Sequence, residues 1–286
     1  MAEFFTNPLV QSVLVPVAGG FILTGAIRFA NGRAKGPLVA GAAVALGFLV
    51  GYVLIVGLPP LPPVSNQQKL AYVVAGRLII GFLMDFSRRP PFYRELVYIV
   101  GAAAALYWMA LPKIAGGTAW TYLSLVALWI AAGLIGYRLE KSRANVVNAC
   151  APLLVAALGL GLVALFGRTG SYSQLAFSLA TAFGGFMLWN WPIARYPFGA
   201  TLLLGGAGAL VTIAYALALY TEASPYALAM LLLCFFAEPV ARRIKLPAGK
   251  IGEAFRPVAV GAVALIPALA AVAVAYLTAP GQEAGY

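Results

Sequence analysis

The amino-acid sequence predicts an all-α fold: a polytopic transmembrane helical bundle of about ten spans, arranged as five helical hairpins with both termini outside. Three observations carry this expectation. Hydrophobic residues make up 63% of the 286 and charged residues only 9%, against roughly 45–50% and about 25% in soluble domains. A soluble chain of this length has no interior large enough to hide so much apolar surface. Apolar runs of about 17–25 residues, each able to cross a hydrocarbon core of about 30 Å, recur along the whole length, and Lys and Arg sort unevenly between alternate connections.

The segments lie near 8–28, 37–58, 67–87, 95–112, 118–138, 145–167, 172–191, 198–220, 225–241 and 257–278. The first opens at Asn7, a helix-capping residue, followed by Pro8 at the first helical position, where its missing N–H costs nothing. Pro16 falls mid-span, a position that kinks a helix by removing one backbone bond. The second segment carries Gly47-x-x-x-Gly51 and stops before Pro59, Pro60, Pro62 and Pro63. Those prolines form a stiff extended link that cannot continue a helix.

Ser65 caps the third segment, with Gln68 at capping-box spacing, so two orphan amides are satisfied reciprocally. Arg77 falls twelve residues beyond that cap, about 18 Å along the axis at 1.5 Å per residue, too deep for easy snorkelling to the outer face. Thr118 caps the fifth segment, Ser171 (with Gln174) the seventh and Ser224 (before Pro225) the ninth. Ser65, Thr118, Ser171 and Ser224 are 53 residues apart each time, and Arg89-Pro-Pro91-Phe92 returns as Arg195-Tyr-Pro197-Phe198. This is either a true hairpin repeat or the common length of any hairpin that crosses one bilayer. The even segments are rich in small residues, as in GAAAAL from Gly101, Gly159 and Gly161, and Gly205 to Gly208. Such faces let backbones approach closely, within one chain or between copies. Pro267 falls mid-span in the last segment.

Because the connections are short, residues 1–286 read as a single integral membrane domain; the longest connection is RRIKLPAGKIGEAFR. Connections after odd segments hold Arg28, Arg33, Lys35, Arg88, Arg89, Arg94, Arg138, Lys141, Arg143, Arg195, Arg242, Arg243, Lys245, Lys250 and Arg256. The opposite side holds only Lys69, Lys113 and Arg168. The positive-inside bias then places both termini outside, periplasmic if the membrane is a bacterial inner membrane. It also accounts for the net charge of +11 without nucleic acid as a partner. The expected partners are membrane lipids, with anionic headgroups at the basic inner loops, and a membrane complex or a second copy of the chain. MAEFFTNP has no basic region ahead of its apolar run, so no cleavable signal peptide is expected. Trp108, Trp120, Tyr122, Trp189, Trp191, Tyr196, Tyr220 and Tyr226 cluster near span ends, as an interfacial belt requires.

An ionisable residue deep in a span costs at least about 2.5–3.5 kcal/mol unless paired, which makes it a functional candidate. Arg77, Asp85, Glu238 and Arg242 are therefore candidates for a substrate pathway, and Pro16 and Pro267 for kinks. Asp85 is about 12 Å from Arg77 along a straight helix, so the cation needs a carbonyl or carboxylate from another span, or water. Glu238 precedes Pro239 and has Arg242 at i+4, which allows local neutralisation. Cys150 and Cys234 read as small core residues. With no histidine there is no zinc-binding HExxH and no Ser-His or Cys-His pair. No P-loop or metal-binding aspartate motif is present either. No catalytic, cofactor or metal residues are expected, and the chain does not read as an enzyme.

In size and span number the chain resembles the drug/metabolite transporter superfamily, whose members have ten short helices in about this length. The likeness covers the whole chain and rests on no motif. That family's pattern is two inverted five-helix halves with both termini inside, from which the charge distribution here departs. The expected function is that of a permease or exporter for a small solute or lipid, with Arg77 facing a central cavity. The alternative is a non-catalytic scaffold or accessory subunit of a larger membrane complex. A reporter active only in the cytosol should stay silent when fused to either terminus; signal from one tail would overturn the orientation.

Overall fold

The computed structural model describes residues 7–87, 91–247 and 249–279, in which helix is the regular structure. Arg88, Arg89 and both chain ends lie outside the described residues. The helices are α1 (Val10–Ala30), α2 (Gly32–Val39), α3 (Ala42–Val56), α4 (Asn66–Phe86), α5 (Pro91–Ile114) and α6 (Ala119–Ser142). They continue with α7 (Val146–Phe166), α8 (Gly170–Asn190), α9 (Thr201–Tyr220), α10 (Pro225–Ala241) and α11 (Lys250–Leu277). Each expected apolar segment is helical. Among the described residues six helices qualify as membrane spans by length and apolarity (α1, α5, α6, α7, α9 and α11), and seven if the pair α2–α3, bent by 57°, counts as one span. The other expected spans are less apolar or shorter. α4 carries Lys69, Arg77 and Asp85, α8 is interrupted by Ser, Gln, Thr and Gly, and α10 is a 17-residue helix.

α9 runs through the middle, with 89% of its apolar window buried. α7, α8, α11, α1 and α3 pack around one another on one side, and α4, α5 and α6 on the other. α6 is the outlying helix, only 17% buried over its window, and packs chiefly on α5. The first five residues of α1 and the first seven of α9 are π-wound, and α10 has a 3₁₀ turn at Leu232–Phe236.

The capping box at Ser65 forms: Gln68 N donates to Ser65 Oγ (3.2 Å), and Ser65 N to Gln68 Oε1 (3.2 Å). Asn7 Oδ1 accepts from Leu9 N at 2.9 Å. Ser171 is not a cap: α8 already begins at Gly170, and Thr169 takes the cap position. Caps thus fall at Ser65, Thr118, Thr169 and Ser224, and the spacing is uneven. Asn145 caps α7 without having been expected to, accepting from Val147 N (3.0 Å) and Asn148 N (3.3 Å). The link of prolines after α3 is tied down by Tyr72, whose hydroxyl donates to the Pro59 carbonyl (3.0 Å).

A proline inside a helix frees the carbonyl four residues earlier, and hydrocarbon offers no water to take it. Three prolines here have that carbonyl bound by a side chain from another helix. Pro16 frees Ser12 O, which accepts from Thr181 Oγ1 of α8 (3.0 Å). Pro112 frees Trp108 O, bound by Lys69 Nζ of α4 (3.0 Å), and Pro239 frees Phe235 O, bound by Arg138 Nε of α6 (3.3 Å).

The small-residue faces turn out to be contacts within the chain. A Cβ on Gly20 would sit 2.4 Å from Ala182 O, and one on Gly51 would sit 2.1 Å from Ser178 Oγ and 3.0 Å from Pro16 Cγ. The backbones of α1, α3 and α8 approach this closely because these positions lack side chains. The proline pairings predict a measurable coupling. Lys69→Met should lower thermal stability by about 1 kcal/mol, the worth of an ordinary hydrogen bond. Much of that loss should vanish in a Pro112→Ala background, where residue 112 again donates to Trp108 O; equal losses in both backgrounds would refute the pairing.

Candidate functional site

Two residues of α4 reach α9, eight positions apart. Near its end, the Asp85 carboxylate accepts from Ala200 N (2.7 Å), Thr201 N (2.8 Å) and Thr201 Oγ1 (2.9 Å). This is an N-cap supplied by a different helix. It occupies amides that α9 cannot satisfy internally and sets a negative charge at the positive end of the helix dipole. Gly199 makes room for this carboxylate, since a Cβ there would run into Asp85 Oδ2 and displace it.

Arg77 is 5% exposed. Its Nη1 donates to Gly208 O of α9 and its Nη2 to Tyr98 O of α5, each at 3.3 Å. The guanidinium carbon lies 5.1 Å from the centre of the Tyr98 ring, a cation–π geometry. Among the described residues no carboxylate comes within ion-pair distance of it. Of the partners the sequence left open, a carbonyl, a carboxylate or water, carbonyls of two other helices are the ones found. Glycines make the room: a Cβ on Gly208 would be 2.9 Å from Arg77 Cζ, and one on Gly136 of α6 would be 2.5 Å from the Tyr98 ring. Three polar atoms in this cluster have no hydrogen-bond partner among the described residues: Arg77 Nε, Tyr98 Oη and Tyr215 Oη.

Glu238 pairs with Arg242 at i+4, as the spacing anticipates. The acid is buried, while the Arg242 side chain is 64% exposed. The structure therefore does not bring this pair to Arg77. Pro16 is buried just after the π-wound turn of α1, and Pro267 is half-buried in α11, which runs as one helix through Pro257 and Pro267. Pro267 borders a shallow apolar groove against α10, away from Arg77.

Sequence reasoning missed Glu140. It is 7% exposed on α6 and faces Arg94 Nε (3.8 Å) and Arg143 Nη1 (3.4 Å). Arg94 also lies within electrostatic reach of Asp85. These charges form a chain across the ends of α4, α5 and α6. The Glu140-x-x-Arg143 spacing was the available signal, but it reads equally well as a solvated loop. Tyr98 and Tyr215 were missed too: a tyrosine inside an apolar run gives no hint of which neighbour it meets. Among the described residues no group of three or more His, Cys, Asp or Glu is placed to share a metal ion.

No family model matches this chain, and no curated protein matches it. Asp85→Ala should strip three donors of their acceptor and lower stability by about 2 kcal/mol or more, since a lost cap alone costs about 0.5–2 kcal/mol. Asp85→Asn should recover part of this in a thermal unfolding assay; a neutral Asp85→Ala would show that α9 does not need the cap.

Proposed function

We propose that this integral membrane protein is a permease or exporter for a small amphipathic solute or lipid, with Arg77 as the cation that meets it. The observation behind this is a guanidinium in the middle of the bundle, balanced by carbonyls and a ring instead of a carboxylate. A charge at such depth is expensive and is kept where it does something. Our reading is of ten spans in a bacterial cytoplasmic membrane, both termini outside. Lys69 and Lys113 lie by Trp108 and Tyr220 at the proposed outer end, and Arg94, Arg143 and Arg256 at the proposed inner end. The basic inner loops attract anionic headgroups, and the chain carries out no covalent chemistry.

One observation favours the second reading, a scaffold or accessory subunit. Two arms of Arg77 are already held by carbonyls, and the side chain is almost fully enclosed, as an inter-helix strut would be. Reconstituted in liposomes and assayed for flux of small amphipathic anions, Arg77→Gln should lose at least about tenfold in rate, which is about 1.4 kcal/mol. Arg77→Lys should lose less, since it keeps the charge and drops the planar fork. Unchanged flux in both removes Arg77 from the pathway, and stoichiometric co-purification with other membrane subunits in gentle detergent favours the scaffold.

A further inference from the structure

On the flank of the bundle a crevice of about 320 Å³ separates α6 from α10, a volume at the lower end of the range for ligand pockets. Its walls are apolar, with Ala131 of α6 facing Leu228 and Leu232 of α10, and α9 forms its floor with Ala214 and Tyr215. Tyr215 belongs to both the crevice and the arginine cluster, within electrostatic reach of Arg77 and Tyr98. Among the described residues the cluster holds three hydrogen-bond donors without acceptors, Arg77 Nε–H and the hydroxyls of Tyr98 and Tyr215. These residues are 5%, 0% and 1% exposed. Gly101 of α5 lies beside Nε, and a Cβ there would meet it at ordinary van der Waals distance, 3.7 Å.

Buried donors left unpaired are costly, and donors gathered round an uncompensated cation suit an oxyanion, which accepts charge-assisted hydrogen bonds from all of them. The charge count narrows the class. One guanidinium neutralises one negative charge, whereas a phosphate dianion would leave a net charge buried in low dielectric. An apolar crevice with Tyr215 in its floor offers a hydrocarbon tail a place beside the cluster.

We propose that Arg77, Tyr98 and Tyr215 form a buried carboxylate-binding site, reached through the α6–α10 crevice, for an amphipathic monocarboxylate whose tail lies between those helices. The site gives the permease reading its substrate class and rests on that reading for its purpose, but binding is measurable without flux. The probes are decanoate, decanol and decyltrimethylammonium, which share one tail, titrated into the purified full chain in nanodiscs by calorimetry.

Decanoate should bind at least tenfold more tightly than decanol, and the cation should bind most weakly. Tyr215→Phe and Tyr98→Phe each remove one hydroxyl and should weaken decanoate about tenfold, with little effect on decanol. Ala131→Phe fills the crevice and should weaken both. Arg77→Gln should erase the preference for decanoate; if that variant does not fold, the tyrosine and crevice variants carry the test with Arg77 intact. Equal affinity for decanoate and decanol, or decanoate binding unmoved by Tyr215→Phe and Ala131→Phe, overturns the site. Decanoate bound as described but not transported supports the site and removes only the permease reading.

Discussion

Asp85 and Arg77 leave the same helix and both end on α9, one on its first amides and the other on the Gly208 carbonyl. On α4 they are eight residues apart and their targets on α9 seven apart, about 12 Å and about 10.5 Å at 1.5 Å per residue. The two helices thus meet in antiparallel register at two polar points. The carboxylate takes N–H groups and the guanidinium takes a carbonyl. Each charge answers the end of a backbone dipole. Around this double clamp the rest of the bundle is arranged: Tyr98 of α5 shares the guanidinium, and Gly136 of α6 makes way for the Tyr98 ring. The bend between α2 and α3 rests on the start of α9, where a Cβ on Gly41 would lie 2.6 Å from Leu202 Cγ.

The same constraint operates throughout. In hydrocarbon each backbone group left over by irregular helix must find a partner inside the protein. The carbonyls released by Pro16, Pro112 and Pro239 meet Thr181, Lys69 and Arg138, so polar side chains that look like isolated intrusions are matched to particular gaps in neighbouring helices. Arg77 follows the rule only in part. Its carbonyl bonds explain how the charge is tolerated, but leave Nε and two tyrosyl hydroxyls without partners among the described residues. Tyr215 also lines the crevice between α6 and α10.

Much of the fold was legible from local signals. The Ser65 capping box and the stop at the proline link depend on residues within four positions of one another, and both appear as read. The glycine faces were rightly taken as packing surfaces. Local signals also misled, as when Ser171 with Gln174 was read as a cap at a helix end where Thr169 holds the cap position. The candidate site was half visible. Arg77 stood out by depth, and helix rise excluded Asp85 as its direct partner, leaving a carbonyl or carboxylate from another span, or water. That Asp85, a candidate pathway acid, also caps α9 was not legible, because the amides it binds are 115 and 116 residues away in sequence.

Composition, periodicity and charge placement by themselves dictate a helical membrane protein with a cation deep in its third apolar segment, since hydrophobic length and the cost of burying charge are properties of each segment alone. Which carbonyls hold that cation, which helix Asp85 caps, and which tyrosines stand beside the guanidinium were decided only when the helices packed. Helix rotation and register arise from contacts between segments distant in sequence, and no single segment encodes them.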